Sequence, residues 1–308
     1  MIKNKQIGKK AYQKRYLFTP DARTGWKIIL KTLKTSLKRK ILLPSYIGIN
    51  KKEGSGVFDP INETQTGYVF YKVRGDLSVD LEDFRKKIRR PDIVGALLIH
   101  YFGFPTTNLP GIVRLCKKHK KALIEDCAHT LSSTLRGKML GTFGDFSFYS
   151  LHKVLSSNSG GYVRFNSAAT SPDMDDNISK DDLLCFVKSD LSKISRKRRS
   201  NYAYFLKHIQ KIKGVKPVYP KLPKGTVPLN FPVIIQKKNR DNVYFALRAL
   251  GIEVVSLYYC IIKEISKKEF PTSYFISNHI MNFPLHEEIT QKNILEMCKS
   301  VKEVLAEP

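Results

Sequence analysis

The sequence predicts an α/β protein, with a large domain built on a mostly parallel sheet and a smaller α+β domain after it. Apolar runs bounded by turn residues alternate with amphipathic helical patterns from about residue 20 to 165, a pattern typical of βαβ units. The polar stretch SAATSPDMDDNISKDD at 167–182 interrupts this alternation, and the linker VKPVYPKLPKGTVP leads into a second unit. We therefore expect a large domain over residues 1–213 and a small domain over residues 214–308.

Helices and strands are predicted in turn along the first unit. LPGIVRLCKKHK has apolar residues at helical spacing, whereas IVGALLI and KALI are short apolar runs typical of buried strands. The predicted elements are a helix at 27–40, a strand at 41–46, a strand at 68–73, a helix at 80–88, a strand running into a loop at 93–104, a helix at 109–120, a strand at 121–129, and strands at 145–150 and 162–165.

The remaining third of the chain has a different organisation. A long basic helical stretch is predicted at 182–213, before the linker. The small domain is predicted to contain a strand at 229–235, a helix at 240–250, a strand at 252–259 and a C-terminal helix at 290–305.

Composition excludes several classes of protein. Hydrophobic residues make up 42% of the 308 residues and charged residues 26%, as in ordinary folded proteins. No apolar run approaches the ~18–20 residues of a membrane span, and the basic first segment lacks the apolar core of a signal peptide. The five cysteines are scattered without a CxxC pair, which predicts reduced thiols, no metal site and a cytoplasmic location.

The net charge of +27 is concentrated in two blocks. Residues 1–40 contain 13 Lys and Arg against one acid, and residues 193–240 contain 14 with no acid. Such blocks can contact an anionic membrane surface or attract phosphorylated molecules, although a Lys-rich bias on solvated helix faces explains them as simply. No zinc-finger or RNP pattern accompanies the charge, so nucleic acid is not expected as the main partner.

Two side chains at predicted strand ends suggest a cofactor. Asp126 follows the apolar run ALI, and Lys153 lies between the strand FSFYS and a Ser/Asn-rich turn. Alone, each is more simply a strand-end acid or a surface lysine. Together, a lysine for an aldehyde and an aspartate for a pyridinium nitrogen are what pyridoxal 5′-phosphate requires. The phosphate needs hydroxyl and amide donors at a helix start, which Thr24, Gly25 and Ser150 would supply.

Longer motifs extend this interpretation to a family. LIEDCAHTLSS at 123–133 is close to the pattern "viEDaAhalGa", and GTFGDFSFYSLHKVLSSNSGG at 141–161 is similar to "GtfGD.a.fSfh..K.l..geGG". With these and the weaker similarities, in order along nearly its whole length, the chain resembles the DegT/DnrJ/EryC1/StrS family of PLP-dependent sugar aminotransferases. The weaker similarities are ARTGW at 22–26, LLPSYIG at 42–48, LLIHYFGFP at 97–105, RDNVYFALRALGIEV at 240–254 and MNFPLHEEIT at 281–290.

The resemblance implies a fold type I PLP-dependent transferase, usually a homodimer with shared active sites, and it implies roles for named residues. Lys153 would bond the cofactor aldehyde and then shuttle a proton. Asp126 would keep the pyridine nitrogen protonated, and His129 would contact the phenolic-oxygen side of the ring. The remaining implied contacts are Tyr46 against the ring, and Ser150, Thr24 and the Gly25 amide at the phosphate.

The chain departs from the family pattern in four places. The "GyNyRms" segment after the Gly pair, which normally reaches into the neighbouring subunit's site, is replaced by the polar stretch at 167–182. Ser159 replaces the usual Glu, and the spacing from Asp145 to Lys153 is about two residues shorter than is typical of the family. EGSG at 53–56 is an insertion in a substrate-facing loop, where a plain turn is a simpler interpretation than a phosphate loop.

The expected function is transamination of a keto sugar, on a nucleotide carrier and with glutamate as donor, for a surface polysaccharide or related glycan. One alternative is a divergent member of the family: either a sugar dehydratase, since His152 lies beside Lys153 and some relatives use a histidine there, or a binding or regulatory protein. The other is a basic module that works on nucleic acid or membranes.

Overall fold

The computed structural model describes residues 15–50, 52–166 and 174–306. Residues 1–14 of the predicted basic block and 167–173 of the polar stretch lie outside the described residues. The described strands are β1 (Tyr16–Thr19), β2 (Lys40–Pro44), β3 (Tyr68–Tyr71), β4 (Ile93–Ile99), β5 (Ala122–Asp126), β6 (Thr134–Leu135), β7 (Lys138–Met139), β8 (Phe146–Ser150), β9 (Gly161–Phe165), β10 (Val215–Pro217), β11 (Asn230–Ile235) and β12 (Ile280–Pro284).

Helices lie between most of these strands. They are α1 (Ala22–Thr32), α2 (Phe58–Glu63), α3 (Leu81–Ile88), α4 (Leu109–Lys118), α5 (Lys180–Lys188), α6 (Leu191–Ile209), α7 (Arg240–Ala249), α8 (Pro271–His279) and α9 (Gln291–Ala306). Along the described segments, no helix combines the length and the apolarity that crossing a bilayer requires.

The large sheet confirms the predicted α/β class. In the described residues its strand order is β1-β9-β8-β5-β4-β2-β3. Parallel pairing joins β8 to β5, β5 to β4, β4 to β2 and β2 to β3. β9 pairs antiparallel with both β8 and β1. The carboxyl ends of β4, β5 and β8 therefore lie side by side at one edge of the sheet, where ligands gather in such folds.

Helix α1 packs unusually close to this sheet. Trp26 stacks on Phe148 of β8 at a ring distance of 5.6 Å, and Gly25 faces Val163 of β9. A Cβ atom on Gly25 would come within 2.8 Å of Val163 Cγ2. The missing side chain of Gly25 thus allows the close approach of helix and strand.

A second, antiparallel sheet of order β10-β11-β12 follows, as expected for a smaller α+β unit. Helix α6 packs on α9 and on β10 and β11 of this sheet, although it precedes the predicted boundary at residue 213. The division into domains at that boundary stays a prediction.

Two local predictions for this half of the chain were wrong. The expected strand at 252–259 makes only a single bridge, from Val255 to Asn282, and the φ of +61° at Tyr258 ends its extended backbone. The expected continuous helix at 182–213 breaks at Ser189, and Asp190 caps the new helix α6 by accepting from the amides of Ser192 and Lys193.

We predict that Gly25→Ala destabilises the protein by about 1 kcal/mol, because overpacking against Val163 outweighs the better helix propensity of alanine. Denaturant unfolding of the full chain measures this change. Gly75→Ala is the matched control, since a Cβ there meets nothing within 4 Å. A variant Gly25→Ala at least as stable as the wild type would contradict the close packing of α1.

Candidate active site

The carboxyl ends of β4, β5 and β8 border a cavity of about 660 Å³, together with loop residues 47–50 and 52–57 and the segment at 256–259. Of the residues predicted for the site, Asp126, His129, Ser150 and Lys153 line this cavity. The structure thus brings together side chains from two strand ends and two following turns. Thr24, Gly25 and Tyr46 are not among the lining residues.

The buried carboxylate of Glu125 organises this end of the sheet. It accepts hydrogen bonds from His100 Nε2 at 2.9 Å and from the amides of Gly141, Phe143 and Gly144 at 2.9, 2.7 and 2.6 Å. Burial alone would raise the pKa of Glu125, but these hydrogen bonds outweigh it and hold the pKa below its usual value. Glu125 therefore ties β4, β5 and the loop before β8 into one unit.

Three residues of this region have potential metal-ligand atoms close together. The ligand atoms of His100, Glu125 and Cys127 lie within 4.8 Å of one another. Both oxygens of Glu125 already accept hydrogen bonds, and His100 Nδ1 accepts from the Thr106 amide at 3.3 Å. The cluster is therefore accounted for by its hydrogen bonds.

Asp126 is the neighbour of Glu125 but has different surroundings. One of its oxygens accepts from the Ala128 amide at 2.9 Å, and the side chain lines the cavity while only 5% exposed. Burial raises the pKa of Asp126, and the Ala128 amide and the charge of Lys153 oppose that rise. A cationic group bound in the cavity would therefore find a poorly solvated carboxylate.

Lys153 follows β8 on a tight turn. The amides of Val154 and Leu155 both donate to the Leu151 carbonyl, at 3.0 and 2.9 Å, and the Leu151 amide donates to the Gly160 carbonyl at 2.9 Å. At the exit of the turn, Asp182 accepts from the Asn158 and Ser159 amides at 3.0 and 3.2 Å. The turn thus presents Lys153 to the cavity from a backbone held at both ends.

The Lys153 amine lies within hydrogen-bond reach of His129, at 3.4 Å from Nε2. The Phe102 amide donates to His129 Nδ1 at 3.1 Å, so the proton of the neutral ring is on Nε2. Burial, followed by the charge of Lys153, lowers the pKa of His129 well below its usual value. The neutral imidazole therefore turns its Nε2–H towards the Lys153 amine.

The pKa of the Lys153 amine is also lowered. The Lys153 side chain is accessible to solvent through the open cavity. Its pKa is still lowered, principally by partial desolvation of the amine and also by the charge of Arg23. The charges of Asp126 and Glu53 act in the opposite direction. An amine with a lowered pKa is a better nucleophile at neutral pH than an ordinary lysine.

The start of α1 reaches the cavity through residues other than the predicted ones. Asp21 caps the helix by accepting from the Thr24 amide at 2.7 Å, and the Gly25 amide donates to the Asp21 carbonyl at 3.3 Å. Asp21, Ala22 and Arg23 line the cavity instead. The Arg23 guanidinium donates to the Glu53 carbonyl and lies 3.7 Å from Asp59, so the EGSG turn holds this cation at the rim.

The remaining predicted residues occupy two different environments. Ser150 lines the cavity, and its hydroxyl is 3.2 Å from His152 Nδ1. Tyr46 is fully buried behind the wall, where it packs on Tyr101 and Tyr258 at ring distances of 5.6 and 5.3 Å. Of these three tyrosines, Tyr258 is the one that lines the cavity.

Comparisons with known proteins find similarity to one family over part of the chain. Residues 59–175 match the model of the DegT/DnrJ/EryC1/StrS aminotransferase family, a range that includes β5, the Lys153 turn and the Gly pair. Over these residues, which are fewer than half of the 308, the chain is similar to that family. The aminotransferase TlmJ from Streptoalloteichus hindustanus has the same fold, with a TM-score of 0.81 at 20% identity over 95% of this chain and 86% of that one.

Two curated relatives of the family match at the sequence level. GDP-perosamine synthase from Vibrio cholerae is 35% identical over 102 residues, which are 32% of this chain and 27% of that protein. A UDP-N-acetyl-3-dehydro-alpha-D-glucosamine 3-aminotransferase from Acidithiobacillus ferrooxidans is 23% identical over 238 residues, 67% of this chain and 63% of that protein. The chain thus spans less than two thirds of either relative.

Sequence reasoning missed three features of this site. Glu125 stands inside the quoted LIEDCAHTLSS motif but was not singled out, because its role depends on amides 16 to 19 residues away. Arg23 stands inside the quoted ARTGW motif but was not singled out. Tyr258 lies within the predicted strand at 252–259, without a signal that it would reach the cavity.

We predict that neutral His129 makes the protein less stable in mild acid. Because the pKa of His129 is lowered in the folded state, the unfolded state binds more protons below a pH of about 6.5. The free energy of unfolding therefore decreases as the pH is lowered through this range, by up to about 1.4 kcal/mol per pH unit. His129→Asn keeps an acceptor for the Phe102 amide and should lose this part of the slope. Urea unfolding across pH 5 to 7 measures it, and an identical slope in both proteins would contradict a buried neutral imidazole.

Proposed function

We propose that the chain is a pyridoxal 5′-phosphate-dependent aminotransferase that converts a keto group of a sugar into an amine. One observation carries the proposal: the Lys153 amine and the Asp126 carboxylate face the same cavity, with the first residues of α1 at its rim. The amino group would leave a donor amino acid, which becomes a 2-oxo acid, and would arrive at the keto carbon of the sugar.

The cavity fits the three functional parts of the cofactor. Lys153 suits its aldehyde, Asp126 its pyridine nitrogen, and the start of α1 with Ser150 its phosphate. At the phosphate end, the amides of Ala22 and Arg23, which line the cavity, would take the place expected for Thr24 and the Gly25 amide. When bound, pyridoxal phosphate supplies a ring that withdraws electrons from the carbon next to the amino group.

The residues of this chain would then bind and move protons at defined atoms. Asp126 would accept a hydrogen bond from the ring nitrogen and keep the proton there, since the positive charge offsets the cost of burying its carboxylate. The Lys153 Nζ atom would take a proton from the amino-bearing carbon and return it to another position. His129 Nε2–H would hold an oxygen or nitrogen lone pair of the bound group close to Lys153.

The substrate class follows from the relatives and from the cavity. GDP-perosamine synthase and the UDP-sugar 3-aminotransferase act on nucleotide-linked sugars by their names. Arg23 and Lys52 line the cavity beside apolar groups, a surface that suits a sugar with a phosphate-linked carrier. We propose glutamate as the donor and a surface glycan as the destination of the product.

The dehydratase alternative is less favoured by the geometry. His152 turns its Nδ1 towards Ser150, whereas Lys153 Nζ reaches the His129 side of the cavity. The homodimer, the cytoplasmic location and contact of basic segments 1–40 and 193–240 with an anionic membrane stay predictions. Part of the second segment is structural, because Arg198 and Arg240 are each only 5% exposed.

We predict that Lys153→Arg abolishes covalent attachment of pyridoxal phosphate, because the guanidinium keeps the charge but is not a nucleophile. Purified protein mixed with the cofactor is reduced with borohydride, and mass spectrometry locates the modified lysine. Lys118→Arg, on the exposed face of α4, is the control and should label at Lys153 like the wild type. Absence of attachment in the wild type would refute the proposed function.

We predict that Asp126→Asn retains cofactor binding but slows amino transfer from glutamate by about 10²–10³-fold, because a preorganised charge next to the ring nitrogen is lost. Single-turnover spectroscopy after adding glutamate measures the rate. A variant that transfers the amino group as fast as the wild type would remove Asp126 from the proposed mechanism.

A further inference from the structure

A buried arginine outside the cavity contacts the backbone that carries Lys153. Arg198 on α6 is 5% exposed and donates three hydrogen bonds. Its Nε donates to Glu287 Oε1 at 2.9 Å, its Nη1 to the Leu229 carbonyl at 3.1 Å, and its Nη2 to the Val154 carbonyl at 3.2 Å. Val154 directly follows Lys153 in the chain, so the guanidinium is hydrogen-bonded to the backbone next to the residue that carries the reactive amine.

The same arginine is connected to His129 on the other side of the site. The Leu229 amide donates to the Phe102 carbonyl at 2.9 Å, and the Phe102 amide donates to His129 Nδ1 at 3.1 Å. His129 Nε2 lies 3.4 Å from Lys153 Nζ. These contacts form a closed ring that runs from Arg198 through Leu229, Phe102, His129, Lys153 and Val154 back to Arg198.

We propose that Arg198 is a positioning residue that closes this ring and thereby holds the Lys153 amine against His129. The proposal rests on the proposed function for the purpose of the amine, but the ring itself does not depend on the cofactor. Glu287 precedes α9, and Leu229 precedes β11, so Arg198 also ties the antiparallel sheet to the Lys153 turn.

Only arginine can make this set of contacts. Its planar guanidinium directs separate N–H groups towards Glu287, Leu229 and Val154, whereas a lysine has a single nitrogen. Its burial is also consistent with a fixed position, because a buried cation needs all of its donors satisfied. Arg198→Lys therefore keeps the charge and breaks the ring.

The neighbouring residue on α6 provides a matched control. Arg199 donates to the carbonyls of Pro223 and Thr226 and has no contact with the Lys153 turn among the bonds of the described residues. Arg199→Lys makes the same chemical change one position along the same helix. Any difference between the two variants therefore reports the ring and not the loss of an arginine.

The first test uses the full chain without cofactor. A small aldehyde and cyanoborohydride alkylate lysines in their uncharged form, and peptide mass spectrometry measures the extent at Lys153 across a pH series. The groups that face Lys153 are Asp126, His129, Arg23, Glu53 and His152. We expect Arg198→Lys to move the labelling midpoint of Lys153 to higher pH, because the amine becomes more hydrated, and Arg199→Lys to leave it in place.

The second test measures how fast each protein takes up pyridoxal phosphate. Misplacing a reacting group by about 1 Å can cost about a hundredfold in rate, so we expect Arg198→Lys to slow the uptake by about 10-fold to 100-fold and Arg199→Lys by less than about twofold. If Arg198→Lys does not fold, Glu287→Gln is the second variant, because it weakens the hydrogen bond that Glu287 accepts from the Arg198 guanidinium. It should shift the labelling midpoint of Lys153 in the same direction by a smaller amount.

The possible outcomes separate this inference from the proposed function. A variant Arg198→Lys that is less stable but has the wild-type midpoint and uptake rate would make Arg198 merely structural and overturn the inference. A wild type that takes up no cofactor would refute the proposed function, while the labelling midpoints would still test the ring.

Discussion

The fully buried carboxylate of Glu125 is the interaction on which the site depends. It accepts from His100 after β4 and from three amides in the loop before β8, so it ties the carboxyl ends of β4 and β5 to the loop that leads into β8. Because side chains alternate along a strand, the neighbouring Asp126 then faces the cavity. A buried carboxylate whose two oxygens both accept hydrogen bonds from the protein is held rigidly without water. Glu125 thus supports the residues that line the cavity.

The sequence predicted the sheet and the two central side chains because their signals are local. Buried parallel strands need continuous apolar runs, and IVGALLI and ALI are such runs, at β4 and β5. Asp126 and Lys153 could be singled out because each follows an apolar strand at the end where ligands collect. Both line the same cavity, which their separation of 27 residues along the chain does not reveal.

Features that depend on three-dimensional placement could not be predicted in this way. Thr24 and Gly25 matched a motif, but the capping carboxylate of Asp21 occupies the Thr24 amide and the missing side chain of Gly25 serves packing. Tyr46 matched as well but lies behind Tyr258, whose left-handed backbone turns it into the cavity wall. Arg198 lies in the run RKRR, where no local signal separates a buried arginine from solvated ones.

Lys153 carries an amine with a lowered pKa and shares one cavity with the Asp126 carboxylate. The most direct measurement is a pH titration of the Lys153 amine by ¹⁵N NMR in the cofactor-free protein, with Lys153→Arg to assign the signal. We expect Lys153 to titrate below the ordinary lysine value of about 10.4, and lower still in Asp126→Asn, because the carboxylate favours the charged amine. A Lys153 that titrates at the ordinary value in both proteins would contradict the account.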